Sequence, residues 1–380
     1  MAVSESTPPA SPISRERAKD IKRLSVISAA RRVRLLSRVE LTELTGLSPA
    51  TLTPLVRDLI AEGYLIERGP GESRTGRPRA MLAFNPRAEL VAAVSLEVSR
   101  ISCEIADSDG TVIAHRATRL RGDPVKTICR FVPELAGDAI GALRGVAIAV
   151  PGVSRGGSVW LAPSVGLVRG EPLGASVEAE LGVPVVVDND VNLMAAGEHA
   201  AGAGADVTDL LLLHVADGIG AGLVLDGKVR HGASGAAGEV GFLPLDPGAR
   251  GSDGVGPFEA RWSASAIAER VAALNPGRRT TAPVRDLVKL SQTNAAAARY
   301  LRSVLGAWAR LIVSCVCVID PGRVLLSGAA ADLDDEALAQ LQALVARDAP
   351  TTVDIRRAAL GEAAVLHGAV RRALVAAGLA

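Results

Sequence analysis

Hydrophobic and polar positions change rhythm along the chain. Over RERAKDIKRLSVISAARRVRLL, residues 15–36, apolar residues recur at helical spacing with basic residues between them, which predicts one helix, weakest near Ser28. SRVELTELTGLSPATLTPLVRDLIAEGYLIE follows. Ser37 with Glu40 three residues on predicts the start of a short helix that buries Leu41 and Leu44 and ends at Gly46. Ser48 predicts the cap of a second helix whose first position is Pro49, and Pro54 inside it predicts a kink, because proline removes the hydrogen bond to the carbonyl of Ala50. GYLIERGPGESRTGRPRAMLAFN then alternates like two strands around a Gly-rich loop carrying Arg74, Arg77 and Arg79.

From about Arg87 the rhythm becomes short apolar strands, closed by Gly, Pro or Asp, alternating with Ala-rich helices. Asp109-Gly110 and Asp226-Gly227 each sit between two such strands as hairpin turns. Two hairpins of one kind, each feeding later helices and strands, predict two similar α/β halves with a ligand cleft between them. The expected boundaries are a disordered tail over residues 1–14, a small domain over 15–86 and a large one over 87–380.

Composition narrows the function class. A chain of 380 residues, 48% hydrophobic, predicts two or three domains of a soluble globular protein. Apolar runs such as GVAIAV and PVVVD fall short of a membrane span, and MAVSESTPPASP lacks the apolar core of a signal peptide. Cys103, Cys129, Cys315 and Cys317 have neither disulfide-framework nor zinc-ligand spacing, which predicts buried thiols in a reducing cytoplasm. The net charge of +1 hides an asymmetry: residues 1–86 carry 14 Lys+Arg against 9 Asp+Glu, and the remainder carries 28 against 32. The basic end is therefore the candidate for nucleic acid.

Helix, Gly-containing turn and helix form the helix-turn-helix unit, which sets its second helix in the DNA major groove. Ser48, Ala50, Thr51, Thr53 and Arg57 are then the candidate contacts from the second helix, and the loop arginines those to phosphates or a minor groove. Double-stranded operator DNA is the expected partner, read by a homodimer or homotetramer. In the large region, PVVVDNDVNLMAAGEH delivers Asp188, Asn189 and Asp190 to the C-terminal end of an apolar strand, where they can serve as catalyst or as ligand holder.

SRVELTELTGLS, AEGYLIERG, GRP, VPGV, VVDNDVN, GIGAGLVLDGKVRHGASGAAGEVGF and IDPGRVLLSGA occur in the order seen in the ROK family of repressors, open reading frames and sugar kinases. The chain resembles that family from about Lys19 onward. The resemblance implies an α/β fold: an N-terminal winged helix-turn-helix followed by a two-lobed, actin-like (ribonuclease H-like) domain. Asn189-Asp190 match the pair in which the family's kinases use Asp to take a proton from a sugar hydroxyl. Gly152 matches a point where backbone approaches the sugar, and Glu239 and Glu259 complete the expected polyol site.

The phosphate side departs from the kinases. Where they resemble Asp-x-Gly-Gly-Thr, this chain reads SLEVSR, with Ser95 for the acid and Glu97 and Val98 for both glycines, and Asp217 stands where they carry Thr. Asp190 is thus expected to bind a hydroxyl and catalyse nothing. The family's zinc ligands are also missing: Phe242 replaces the His, and ARGSDGVGPFEA holds no Cys, so neither zinc nor another cofactor is expected. The favoured function is a cytoplasmic transcriptional regulator, most simply a repressor, sensing a sugar or sugar derivative. The alternatives are an ATP-dependent carbohydrate kinase with an accessory DNA-binding domain, and a regulator controlled by a protein partner.

Overall fold

The computed structural model describes residues 15–70, 80–155, 157–161, 167, 170–246, 248, 250–251, 254–277 and 280–380. They divide into two compact units, one up to Leu90 together with Asp107–Asp109, the other the remainder from Val91.

The first unit runs α1 (Arg15–Arg32), β1 (Leu36–Ser37), α2 (Arg38–Thr45), α3 (Pro49–Ala61), β2 (Leu65–Pro70) and β3 (Ala80–Phe84). Helix α1 continues unbroken through Ser28, which is exposed and so demands nothing of the packing. Ser37 and Glu40 close a reciprocal capping box on α2, and Gly46 ends it in the left-handed conformation at φ 66°. Leu41 is buried as expected, but Leu44 is 43% exposed, because the short helix turns only one narrow stripe inward. Pro49 begins α3 under the Ser48 cap, and α3 runs on past Pro54, which lies on its exposed side where water can take the freed carbonyl. Val26, Ile27, Ala30, Leu36, Leu41, Leu52, Val56, Leu59, Leu65, Leu82 and Phe84 form one core. β2 and β3 are an antiparallel pair with β1 added at the β3 edge. Arg74, Arg77 and Arg79, expected on the loop between them, lie outside the described residues.

The second unit begins with β4 (Leu90–Leu96), β5 (Arg100–Asp107), β6 (Val112–Arg119), α4 (Pro124–Ala136), β7 (Leu143–Val150), a small hairpin of β8 (Val153–Arg155) and β9 (Ser158–Leu161), α5 (Leu173–Leu181), β10 (Val185–Asn189) and α6 (Asp190–Ala201). It continues with β11 (Leu210–Val215), β12 (Ile219–Leu225), β13 (Lys228–Val229), α7 (Glu259–Trp262), α8 (Ala264–Leu274), α9 (Pro283–Ser291), α10 (Ala295–Ile319), β14 (Arg323–Gly328), α11 (Asp335–Asp348), β15 (Asp354–Arg357) and α12 (Ala363–Ala376).

Two five-stranded sheets result, β10-β7-β4-β5-β6 and β15-β14-β11-β12-β13. Numbering the strands within each half in chain order gives 5-4-1-2-3 both times, so the halves repeat one topology. The Asp226-Gly227 turn takes φ 53° and 69°, the paired positive values a two-residue hairpin needs. Helix α6 lies between the sheets: Leu193 packs toward Ala147, Ala149 and α12, whereas Val191 and Ala195 pack toward Leu210, Leu212 and Leu325. A Cβ on Gly197 would stand 2.2 Å from the Ala364 carbonyl oxygen and one on Gly368 1.9 Å from that of Leu193, so α6 and α12 meet backbone to backbone.

Two sequence expectations are corrected here. Helix α10, with 25 residues, is long and apolar enough by length and composition to cross a membrane, although Leu301, Val304, Leu305, Trp308, Leu311 and Ile312 build the core of the second half. Of the four free thiols only Cys103 is buried, Cys129 and Cys315 are half-buried and Cys317 is exposed, because α10 turns Cys317 away from that core.

Candidate functional site

Strand β10 pairs in parallel with β7, and that register carries Asp188 and Asn189 to the end of the sheet beside Val150 and the turn at Gly152. Gly152 takes φ 107°, a conformation that frees its carbonyl to accept a 2.9 Å hydrogen bond from Asn189 Nδ2. Asn189 is also the N-cap of α6, its Oδ1 accepting from Asn192 N at 3.0 Å. Asn189 thus caps the helix, and α6 starts at Asp190 itself.

Asp190 Oδ1 accepts from Val191 N at 2.8 Å. Burial strips water from its carboxyl and, with the negative charges of Glu239 and Glu97 nearby, raises its pKa from 3.8 to about 7. Glu239 is pushed up as well, by burial first and by Glu259 second. Its carboxylate accepts no hydrogen bond among the described residues, so Asp190 and Glu239 bring open acceptor oxygens to one place, as hydroxyl recognition requires.

Glu259 is spent differently. Its Oε2 accepts from Ile219 N at 3.0 Å and its Oε1 from Gly256 N at 2.6 Å, which ties the tip of the β11–β12 hairpin to the start of α7. A Cβ on Gly241 would come within 2.5 Å of Glu259 Oε2, so glycine there makes room for the carboxylate. At the same tip Ser265 Oγ donates to Asp217 Oδ1 at 2.6 Å, and Ala264 N donates to the Ala216 carbonyl at 2.8 Å. The carboxylate of Asp217 is therefore held against the first turn of α8. Glu97, Val98, Ser99 and Arg100 form the exposed turn of the β4–β5 hairpin. Phe242 is 43% exposed. No group of three His, Cys, Asp or Glu side chains with metal-binding geometry occurs among the described residues.

Sequence reasoning missed the partners of Asp188. This carboxylate is buried, with Oδ2 2.8 Å from His231 Nε2 and 3.7 Å from Arg372 Nε, and Oδ1 accepting from Asn189 N at 2.8 Å. A signal was present: an acid near the end of an apolar strand must find a partner when buried, and His231 follows a hairpin that closes toward it. In the first unit, Ser48, Ala50, Thr53 and Arg57 are exposed along α3 and Thr51 is half-buried. Ser48 Oγ accepts from Thr51 N at 3.3 Å, so it caps α3 while remaining at its surface.

The sequence profile of the ROK family matches residues 91–376. A xylose repressor from Caldicellulosiruptor bescii is 32% identical over 238 residues, which is 60% of this chain and 59% of that protein. The chain thus matches less than two thirds of that relative's length. Among solved structures, a ROK family transcriptional regulator described as a homologue of the E. coli MLC protein superposes with a TM-score of 0.71 at 21% identity, covering 95% of this chain and 98% of that one. A ROK hexokinase from Thermus thermophilus gives 0.65 at 26% identity over 75% of this chain and 98% of that one.

Proposed function

The chain belongs to the ROK family, and from that premise we propose that it is a DNA-binding transcriptional regulator, a repressor, that senses a sugar or sugar derivative without phosphorylating it. Residues 15–86 are read as a winged helix-turn-helix: α2, the Gly46 turn and α3 supply the hairpin of helices, and β2 and β3 supply the wing. Ser48, Ala50, Thr51, Thr53 and Arg57 enter the major groove, and Arg74, Arg77 and Arg79 hold phosphates. Residues 87–380 hold the sugar through Gly152, Asn189, Asp190 and Glu239, with Glu259 bracing the site. A homodimer or homotetramer places two α3 helices on one operator.

The observation that carries the sensing reading is the carboxylate at each hairpin tip. Glu97 is on the β4–β5 turn, and Asp217 is held by Ser265 at the β11–β12 turn. A polyphosphate entering between them would meet two negative charges where kinases offer amides. The test is a duplex selection followed by a sugar panel, with xylose first because of the relative's name. The expected result is operator binding released by one sugar. Arg77→Ala with Arg79→Ala should weaken binding to every duplex and flatten its salt dependence by about one unit of slope for each phosphate no longer neutralised. Wild-type affinity and slope in that variant would remove the wing from the interface.

Asp190 favours a second reading. A carboxyl pushed up to about 7 is matched to proton abstraction near neutral pH, which is what a sugar kinase needs of its base. Turnover of ATP and Mg²⁺ with a hexose or pentose panel, abolished by Asp190→Asn, would replace the sensor with the kinase.

A further inference from the structure

We propose that the cleft between β6 and α4 binds a phosphorylated small molecule through Arg119, Arg121 and Arg130. This cleft, of about 350 Å³, is lined by Thr118, Arg119, Arg121, Thr127 and Arg130, and no carboxylate lines it. Its size falls in the range of small-molecule sites, roughly 300–1,000 Å³.

The local charge is out of character for the region. Residues 87–380 are net acidic, yet Arg116, Arg119, Arg121, Lys126 and Arg130 follow one another with Asp123 as the sole acid between them. Two acids of this segment, Asp123 and Glu134, are already engaged. Asp123 caps α4, its Oδ1 accepting from Val125 N at 2.9 Å, and Glu134 lies 2.9 Å from Arg116 and 3.9 Å from Arg130. Arg119 and Arg121 make no ion pair among the described residues, and both are exposed. Like charges around one concavity raise each other's energy, and an anion seated among them reverses the sign of that term.

The cleft is also built to hold its shape. The buried Thr127 hydroxyl donates to the Asp123 carbonyl at 2.9 Å and to the Arg121 carbonyl at 3.3 Å, fixing the turn that carries Arg121. Guanidinium forks match phosphate oxygens two at a time, and three of them suit a phosphomonoester dianion better than a single carboxylate. The site shares no residue with the Asp190 cleft, so it stands or falls separately from the sugar-sensing reading.

Calorimetry on the full chain at low salt tests it, using inorganic phosphate, a hexose 6-phosphate and the free hexose. The hexose phosphate should bind, and Arg119→Ala with Arg121→Ala should weaken it about tenfold or more, while that double variant's response to the free hexose stays at the wild-type level. Arg119→Lys with Arg121→Lys keeps the charge without the fork and should retain part of the affinity. Competition by inorganic phosphate would show that the phosphoryl group alone is recognised. Its absence would show that the sugar contributes contacts. Three results would overturn the proposal: no binding of either phosphate compound at millimolar concentration, binding lost in Asp190→Ala but kept in the double alanine variant, or a double variant impaired only toward a random DNA duplex.

Discussion

The two hairpin tips of the ROK domain occupy equivalent places in the two repeated halves, and they are built in opposite ways. The β4–β5 tip is bare: Glu97 and Arg100 exchange backbone hydrogen bonds at 2.8 and 3.4 Å, and all four turn residues face water. The β11–β12 tip is stapled, to α7 through Glu259 and to α8 through Asp217 and Ala216. Each tip carries a carboxylate, Glu97 or Asp217, but only that of Asp217 also holds structure together. A charge at a solvated turn can be exchanged freely, whereas a charge woven into a loop is protected by stability. On the proposed sensing reading, the two halves turn polyphosphate away by the same electrostatics under different structural constraint.

The contrast is broken most severely at Glu259. Glu259→Ala would orphan the amides of Ile219 and Gly256, and about 2–5 kcal/mol of stability should be lost in urea unfolding, with Glu259→Gln losing less because one acceptor remains. Asp190 comes next, through pH. A carboxyl whose folded pKa is raised binds its proton more tightly folded than unfolded, so wild-type stability is greatest below pH 4 on this account and falls as pH rises toward about 7. Asp190→Asn should flatten that fall by about 2 kcal/mol, allowing for partial access of solvent, and an unchanged profile would mean that the carboxyl is well hydrated. Asp217→Ala should cost about 1 kcal/mol through the lost Ser265 bond. Glu97→Ala should stay within about 0.5 kcal/mol, and a larger loss would show that the bare tip is braced after all.

Local chemistry was the readable part of this chain. Ser37 with Glu40, Pro49 after Ser48, and the Asp-Gly turns all act on neighbours within four residues, and their elements appear where those rules put them. The repeated halves were legible because each carries an Asp-Gly turn between its second and third strands, although the two are not of one kind: Asp226-Gly227 is a two-residue turn between Leu225 and Lys228, whereas the Asp109-Gly110 connection is longer and bulged, with positive φ at Gly110 alone. The candidate site was legible only in part. That Asn189 rather than Asp190 caps α6 depends on which residue ends the β10 ladder, a matter of register. Glu259 reaching Ile219 and His231 reaching Asp188 close gaps of 40 and 43 residues, which no spacing rule anticipates. Leu44 and Cys317 misled for a related reason: an apolar residue predicts burial only if its face of the helix finds a neighbour.

The backbone contact between α6 and α12 has a mechanical consequence. Where side chains separate two helices, a shift of one is absorbed by rotamer changes in the layer between them. At Gly197 and Gly368 no such layer exists, so the pair is stiff at that crossing and behaves as one strut. Asn189 and Asp190 stand at the N-terminal end of α6, one of the two helices that meet at that crossing. Moving the first turn of α6 without moving α12 would bring backbone against backbone at that crossing, with no rotamer layer to absorb the shift.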